Sequence, residues 1–408
     1  MHMDESVRLR TATTADLSAI ADLMGHVFHE DMTEEARQLE YSVTEPERSV
    51  VADDDGAVVG HTTALTRDLT VPGTVLPAAH VTGVGVAPTH RRRGLLTAMM
   101  HHQLREIAEA GREPVAVLWA SETTIYPRYG YGPAAARLRL EAMTREVRLP
   151  AVTAPPGRLR LIEPLESLAE LAAVYDRLRP GRVGWSSRTE QWWRYLFTDT
   201  EQRRSGATPL RGVLCAGPDG PVGYALWRVE ERWDDYGPDA RVRVREVVAG
   251  DPETYATLWR FLFGIDLARS ATYDFAAVDE PLQYLVDEPR RLGLRYADGL
   301  WIRIVDLPGA LEARRYVAPF DVVMEVADPL LEGNGGRWRL TGGPDKATCT
   351  RTGDAPDFAC TITDLGAAYL GGTSLAVLAA AGRVRRLTDN LPSTSFGWDR
   401  LPNPVEVF

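Results

Sequence analysis

A chain of 408 residues with 57 acidic and 46 basic side chains, net charge −11, has room for two or three domains and the composition of an ordinary globular protein. Its acidic balance argues against nucleic acid or an anionic membrane as main partner and suits a cationic substrate. Cys215, Cys349 and Cys360 form no Cys-x-x-Cys pair, so buried thiols in a reducing compartment are expected rather than a disulfide or zinc framework. Met1–Val7 is polar and no apolar run approaches membrane-span length. The expectation is a cytoplasmic protein with no metal and no membrane span.

Val7–Arg10 reads as a short strand. Thr13 with Asp16 reads as a helix N-cap, followed by one apolar face through Leu17, Ile20, Met24, Val27 and Phe28. The acidic run Glu30, Asp31, Glu34 and Glu35 reads as a solvated face, with a pocket for amines as the alternative. Ser49–Ala52 and Val58–Thr66 make a hairpin across Asp53–Gly56, and a second turn falls at Pro72–Gly73. Val81–Val86 is then a strand with Gly83 and Gly85 inside it, where glycine marks a bulge or a close backbone approach; a bulge over Val84–Val86 is expected. Pro88 ends the strand. Arg91, Arg92, Arg93 and Gly94 form a basic turn, and Leu96, Met100, Leu104 and Ile107 recur at helical spacing, so a helix begins near Gly94. Free N–H groups, the positive end of a helix and three guanidinium groups make a place for a pyrophosphate. The plain alternative is a strand-to-helix turn with a solvated basic cluster. The chain has no Gly-x-x-x-x-Gly-Lys-Ser/Thr, and no Gly-x-Gly-x-x-Gly follows the strand, so neither a P-loop nor a dinucleotide fold is expected. Pro114–Ala120 is a buried strand, and Ser121–Gly130 starts as a short helix that stops at Gly130.

Pro150–Gly157 reads as a linker. Arg158–Leu161 begins a second region, with a helix through Leu165, Leu168, Leu171 and Val174. Val213–Ala225 then echoes Val51–His61, and Glu246–Gly250 with the helix after it echoes Val84–Pro88 and its helix, which suggests a duplicated fold. In the second copy Asp251-Pro-Glu253 replaces the arginine–glycine turn, and acidic groups there would repel a pyrophosphate. One working site and one relic are expected. A third region opens at Asp298–Val305. Its expected strands are Val322–Val326, Gly336–Leu340 and Cys360–Ile362, with a helix from Leu365 to Ala381 in two pieces around Gly371–Gly372. Pro402–Phe408 alternates apolar and polar residues, so the terminus should be ordered.

The turn Arg91-x-x-Gly94-x-Leu96 resembles the acetyl-CoA signature of the GCN5-related N-acetyltransferases, with Leu96 in place of the last small residue. Acyl transfer to an amine needs a neutral amine, a held carbonyl oxygen and a proton for the leaving thiolate. Strand N–H groups can do the holding, and a tyrosine just past the flanking strand can give the proton. Tyr126 stands there, with Tyr129 and Tyr131 as neighbouring alternatives and a core tyrosine as the plain reading. Val84–Leu96 taken with Ser121-Glu122, Ile125-Tyr126, Tyr129–Pro133, Asp298–Arg303, Ala310–Arg314 and the terminal Phe408 closely resembles the Eis (enhanced intracellular survival) acetyltransferases over the whole chain.

The resemblance implies an α/β to α+β protein with two tandem GCN5-related acetyltransferase folds and a C-terminal sterol-carrier-like domain, divided here as 1–149, 158–296 and 297–408. It implies a homo-hexamer that acetylates primary amines of aminoglycosides, and some protein lysines, from acetyl-CoA. Val84, Gly85 and Val86 would hold the acetyl and pantetheine part, and Arg92, Arg93, Gly94, Leu95, Leu96 and Thr97 the pyrophosphate. Ser121 and Glu122 would also touch the cofactor, Tyr126 would be the general acid, and the Phe408 carboxylate the general base. Phe28 and Glu30 match an aromatic and an acidic residue of the family's amine pocket. Val407 departs from the family pattern, which has Glu before the terminal Phe; Glu406 sits one earlier and should point the other way. That departure keeps a non-catalytic acyl-CoA sensor open as a second reading, and the sterol-carrier likeness keeps a lipid carrier open as a third. No cysteine lies near the motif, so direct transfer without a covalent enzyme intermediate is expected.

Overall fold

The computed structural model describes residues 7–150 and 157–408, so the expected linker lies, apart from its two ends, outside the described residues, as does most of the polar N-terminus. The chain forms two compact units. One holds the chain up to Ala135 with Gly299–Asp399 and Val407–Phe408; the other holds Ala136–Asp298 with Arg400–Glu406.

The first unit starts with β1 (Val7–Thr11), α1 (Leu17–Phe28), α2 (Glu34–Val43), β2 (Ser49–Asp54), β3 (Ala57–Val71), β4 (Thr74–Val86), α3 (Leu95–Ala110) and β5 (Val115–Trp119). The Asp16 carboxylate closes a capping box with Thr13, but one 3-10 turn comes before α1 proper. The acidic run supplies part of a helix that its composition did not suggest. Thr33 caps α2, and Glu34 and Glu35 stand in its first turn, where negative charge favours the positive helix end. The sheet order is β1-β2-β3-β4-β5, then Leu300–Ile304, then Gly132–Pro133. Neighbours run antiparallel from β1 to β4, and β4 runs parallel to β5. Ala79 and Val81 of β4 meet Met100 and Leu104 of α3 in one core cluster, so α3 covers that face of the sheet.

In the second unit the seven strands run Arg158–Ile162, Arg211–Gly217, Gly220–Glu230, Ala240–Ala249, Ala268–Ala276, Ala136–Met143, Arg295–Asp298. The order repeats that of the first sheet. Gly60 pairs with Val86, and Gly223 with Ala249, so the two copies keep one register. Each copy lends a strand to the other sheet. Ala136–Met143 pairs with Ala268–Ala276, and Leu300–Ile304 pairs with β5. Each covers a strand whose outer N–H and C=O groups would otherwise stand open.

Residues 307–396 of the first unit include a five-stranded sheet in the order Ala347–Arg351, Gly336–Gly342, Phe320–Ala327, Phe358–Thr361, Arg385–Arg386. The strand expected at Cys360–Ile362 ends at Thr361, because Thr361 and Asp364 form a capping box that starts the helix Ile362–Ala368. Gly371, at φ +81°, ends that piece before Leu375–Ala380. Arg314 is fully buried here. It donates to the carbonyls of Tyr369 (2.6 Å) and Phe396 (2.8 Å) and lies over the Tyr316 and Phe396 rings. Among the described residues, no helix is long and apolar enough to cross a membrane.

Candidate active site

The site grows from a divergence of two strands. Parallel pairing of β4 with β5 covers only Ala78–His80 against Val115–Val117. Beyond it β4 runs on to Val86, while β5 turns to its other neighbour, pairing Leu118 and Trp119 with Trp301 and Leu300. The β5-facing edge of β4 past His80 is therefore open to a ligand.

On the opposite edge the ladder to β3 slips. His61 faces Gly85 and Thr63 faces Thr82, so Gly83 and Val84 together stand opposite Thr62. The bulge falls one residue earlier than expected, at the left-handed Gly83 (φ +58°). It shifts the alternation so that Val84 joins the cluster beneath α3. Gly85 turns to α1, where a Cβ would come within 2.9 Å of Met24 Cε and 3.1 Å of Val27 Cγ1. Only glycine lets α1 lie this close.

The basic turn makes the second wall. Arg92 (φ +65°) and Gly94 (φ +82°) are both left-handed, a backbone that gathers N–H groups on one side as an anion nest. Gly94 is the N-cap of α3 and offers no side-chain acceptor, so the first-turn N–H groups keep no side-chain cap. The second copy does the reverse. Asp251 caps Pro252–Phe263, its Oδ1 accepting from the Thr254 N–H and its Oδ2 from the Thr254 hydroxyl, each at 2.7 Å. There a carboxylate already sits where a phosphate would bind.

These walls enclose an open cleft of about 670 Å³. Of the residues picked from sequence, the lining includes Phe28, Val84, Gly85 and Val86; Arg92, Gly94, Leu95, Leu96 and Thr97; and Ser121, Glu122 and Tyr126. Arg93, Glu30 and Phe408 lie outside it. Val27, His90, Arg91, Ile125, Arg128 and Tyr129 also line it. His90, held by Asp54 Oδ2 at 3.0 Å, carried no signal beyond its neighbourhood to the arginines.

The three tyrosines separate. Tyr126 lines the cleft and is only 5 % exposed, and burial raises its phenol pKa above the ordinary value against an opposing hydrogen bond with Ser121. Tyr129 also lines the cleft, but its hydroxyl lies 3.2 Å from Thr97 Oγ1. Tyr131 is fully buried outside the lining, its ring 6.1 Å from that of Tyr126.

The terminal residues form no strand, and the expected alternation is inverted, with Glu406 buried and Val407 exposed. The Phe408 ring meets that of His80 edge-on, with centroids 4.6 Å apart, and the Arg67 guanidinium is 6.0 Å from the ring centre. His80 belongs to β4. By alternation from Ala79 and Val81 it points to the face away from α3, the face where α1 meets Gly85. In the second unit Glu406 is buried, accepting from Arg188 Nε (2.6 Å) and Trp192 Nε1 (2.8 Å), while Arg188 forks onto Glu246. Val407 is 46 % exposed. Glu406 is a structural anchor, not a cleft acid.

Burial pushes the Cys349 thiol up to about 12 and raises Cys360 further, and neither lines the cleft. Among the described residues no group of three or more His, Cys, Asp or Glu could hold a metal ion.

Comparison with known proteins agrees with this geometry. Residues 8–134 and 184–304 each match the acetyltransferase (GNAT) domain family, and 307–396 match the sterol carrier protein domain. An uncharacterized N-acetyltransferase of Streptomyces avermitilis is 48 % identical over 358 residues, 86 % of this chain and 87 % of that protein. The N-acetyltransferase Eis of Mycobacterium tuberculosis is 38 % identical over 339 residues, 80 % of this chain and 79 % of that one. The crystal structure of Eis1 from Mycobacterium abscessus superposes with a TM-score of 0.84 at 30 % identity, covering 98 % of this chain and all (100 %) of that one. A GCN5-related N-acetyltransferase from Anabaena variabilis shares the fold, with a TM-score of 0.85 at 21 % identity, covering 98 % of this chain and 100 % of that one.

Proposed function

The chain belongs to the Eis family of GCN5-related N-acetyltransferases, and from that premise we propose that it moves acetyl groups from acetyl-CoA to primary amines of polycationic substrates such as aminoglycosides, with protein lysines as further acceptors. The observation that carries the reading is the open edge of β4 meeting an uncapped helix N-terminus in one cleft, with a phenol at its wall. The second copy, with Asp251 in the phosphate position, is the internal contrast.

The residues present fit the cofactor. The N–H groups of Leu95, Leu96 and Thr97 and the charge of Arg92 would hold the pyrophosphate, and Arg93, outside the lining, would add only its longer-range charge. The backbone of Val84–Val86 would pair with the pantetheine arm as a strand partner, and Ser121 and Glu122 would bound it. When bound, the cofactor supplies an activated acetyl thioester. Tyr126 is protonated at neutral pH as any phenol is, burial raises its pKa further, and it would give that proton to the departing thiolate. The Phe408 carboxylate would take the proton of the attacking amine. Phe28, 43 % exposed at the end of α1, offers an aromatic wall to the substrate, and the exposed Glu30 two residues on offers it a negative charge. With no thiol in the lining, direct transfer follows. Arg314, fully buried against the Tyr316 and Phe396 rings, puts a charge inside the C-terminal region and disfavours the lipid-carrier reading.

The test is acetyl-CoA turnover with a panel of aminoglycosides and polyamines. Tyr126→Ala should cut turnover at least about 100-fold while leaving CoA affinity nearly unchanged. An unchanged rate removes Tyr126 from the chemistry. Tight acetyl-CoA binding with no transfer to any amine would favour the acyl-CoA sensor instead.

A further inference from the structure

His61 lies on β3 opposite Gly85, is 2 % exposed, and places its Nδ1 at 2.7 Å from the Gly83 carbonyl oxygen. A carbonyl only accepts, so Nδ1 carries the proton and Nε2 does not. Nε2 has no hydrogen-bond partner, and burial pushes the imidazole pKa down to about 4, so the ring is neutral in a single tautomer. Gly83 is shaped for this ring. A Cβ there would lie 3.1 Å from both Cε1 and Nδ1 of His61, and the φ of +58° is one that side chains resist.

The bond acts on more than Gly83. Its carbonyl shares a peptide plane with the Val84 N–H, and the described chain has no cis peptide. In a trans peptide the N–H points opposite to the C=O. With the oxygen drawn to His61 on the β3 side, the Val84 N–H is turned to the other side, where β4 and β5 have parted and Val84 lines the cleft. The second copy lacks this device: Tyr224 and Glu246 occupy the matching register positions and bond through their side chains.

We propose that His61 is a positioning residue, locking the bulged Gly83–Val84 peptide so that the Val84 N–H is held ready for the acyl carbonyl oxygen. This rests on the acetyltransferase reading of the cleft. A donor fixed before the reaction need not reorganise during it, and removing one such donor elsewhere costs about 10²–10³ in kcat. Loosening it rather than deleting it should cost less.

Two experiments test the inference. In the protein alone, ¹⁵N histidine spectra should show His61 neutral with its proton on Nδ1 from about pH 5.5 to 8. An Nε2–H tautomer, or ordinary titration near 6.5, overturns it. In turnover, His61→Leu keeps the volume and loses the donor, while His61→Asn restores an N–H near the Nδ1 position. His61→Leu should lower kcat about 10–100-fold and change the CoA dissociation constant less than about threefold, and His61→Asn should recover most of the rate. A folded His61→Leu enzyme with wild-type kcat, or a His61→Asn enzyme no faster than it, overturns the inference. If His61→Leu is silent while Tyr126→Ala abolishes turnover, the inference alone fails. A wild-type protein that acetylates no amine overturns the reading beneath it, and the inference with it.

Discussion

Extending the chain by one glycine after Phe408 separates the two things its last residue does. The ring stays against His80, at 4.6 Å between centroids, because nothing before it changes. The carboxylate moves on by one residue, a Cα step of about 3.8 Å. A general base must lie within about 3.2 Å of the proton it takes, directly or through one water, so a displacement of this size removes it from reach. The expected loss in kcat is about 100-fold or more at neutral pH, with the melting temperature and CoA affinity held. Deleting Phe408 instead removes the ring and draws the carboxylate back by one residue, onto Val407. The same fall in kcat should then come with about 1 kcal/mol of lost stability, the worth of an edge-on aromatic contact. The assays are steady-state turnover, CoA titration and thermal melts on wild type, extension and deletion. An extended enzyme with wild-type kcat would falsify the role given to the terminal carboxylate. An extension that melts like the deletion would refute the claim that the ring alone seats the tail.

Three further outcomes follow from the same geometry. The unfolded imidazole of His61 titrates near 6.5 and the folded one near 4, so between these values the unfolded chain binds the extra proton and stability falls as pH drops. Going from pH 7 to 5 this group should cost about 2 kcal/mol; His61→Leu should lose that pH dependence in urea unfolding, and a variant with the wild-type slope would contradict the buried neutral ring. Asp251→Ala removes a cap with two bonds and should cost about 1 kcal/mol with kcat unchanged; lost activity would mean that the second copy is no relic. Glu406→Ala leaves Arg188 and Trp192 Nε1 short of a buried partner and should destabilise the protein by about 3 kcal/mol in denaturant unfolding, with Glu406→Gln milder; a neutral Glu406→Ala would argue against a closed network around Arg188.

Much of the site could be read from the chain because its parts are local. Arg91–Gly94 is a turn by composition, Leu95–Ala110 a helix by spacing, and Gly83 an irregularity by its place in a strand. Tyr126 follows from its position just past β5. The bulge lies at Gly83–Val84 rather than over Val84–Val86, and composition does not separate the two because Gly83 and Gly85 each offer a reason for one. Only packing tells them apart: Gly83 takes the positive φ, and Gly85 clears a path for Met24 and Val27. The helix Glu34–Val43 was missed because its polar, weakly apolar residues bury no side chain fully.

By itself the amino-acid order determined the duplication, the basic Arg91–Gly94 turn in one copy and its absence in the other, since these depend on residues adjacent in the chain and on the φ/ψ each allows. Tertiary structure decided which strand covers β5, that Phe408 rests on His80, that Glu406 is bound by Arg188, and that His61 holds the bulge. Periodicity says that a side chain will be buried; it does not name the distant segment that buries it. That choice is made by pairing and packing among residues far apart in the chain, where backbone groups need partners and apolar faces need cover.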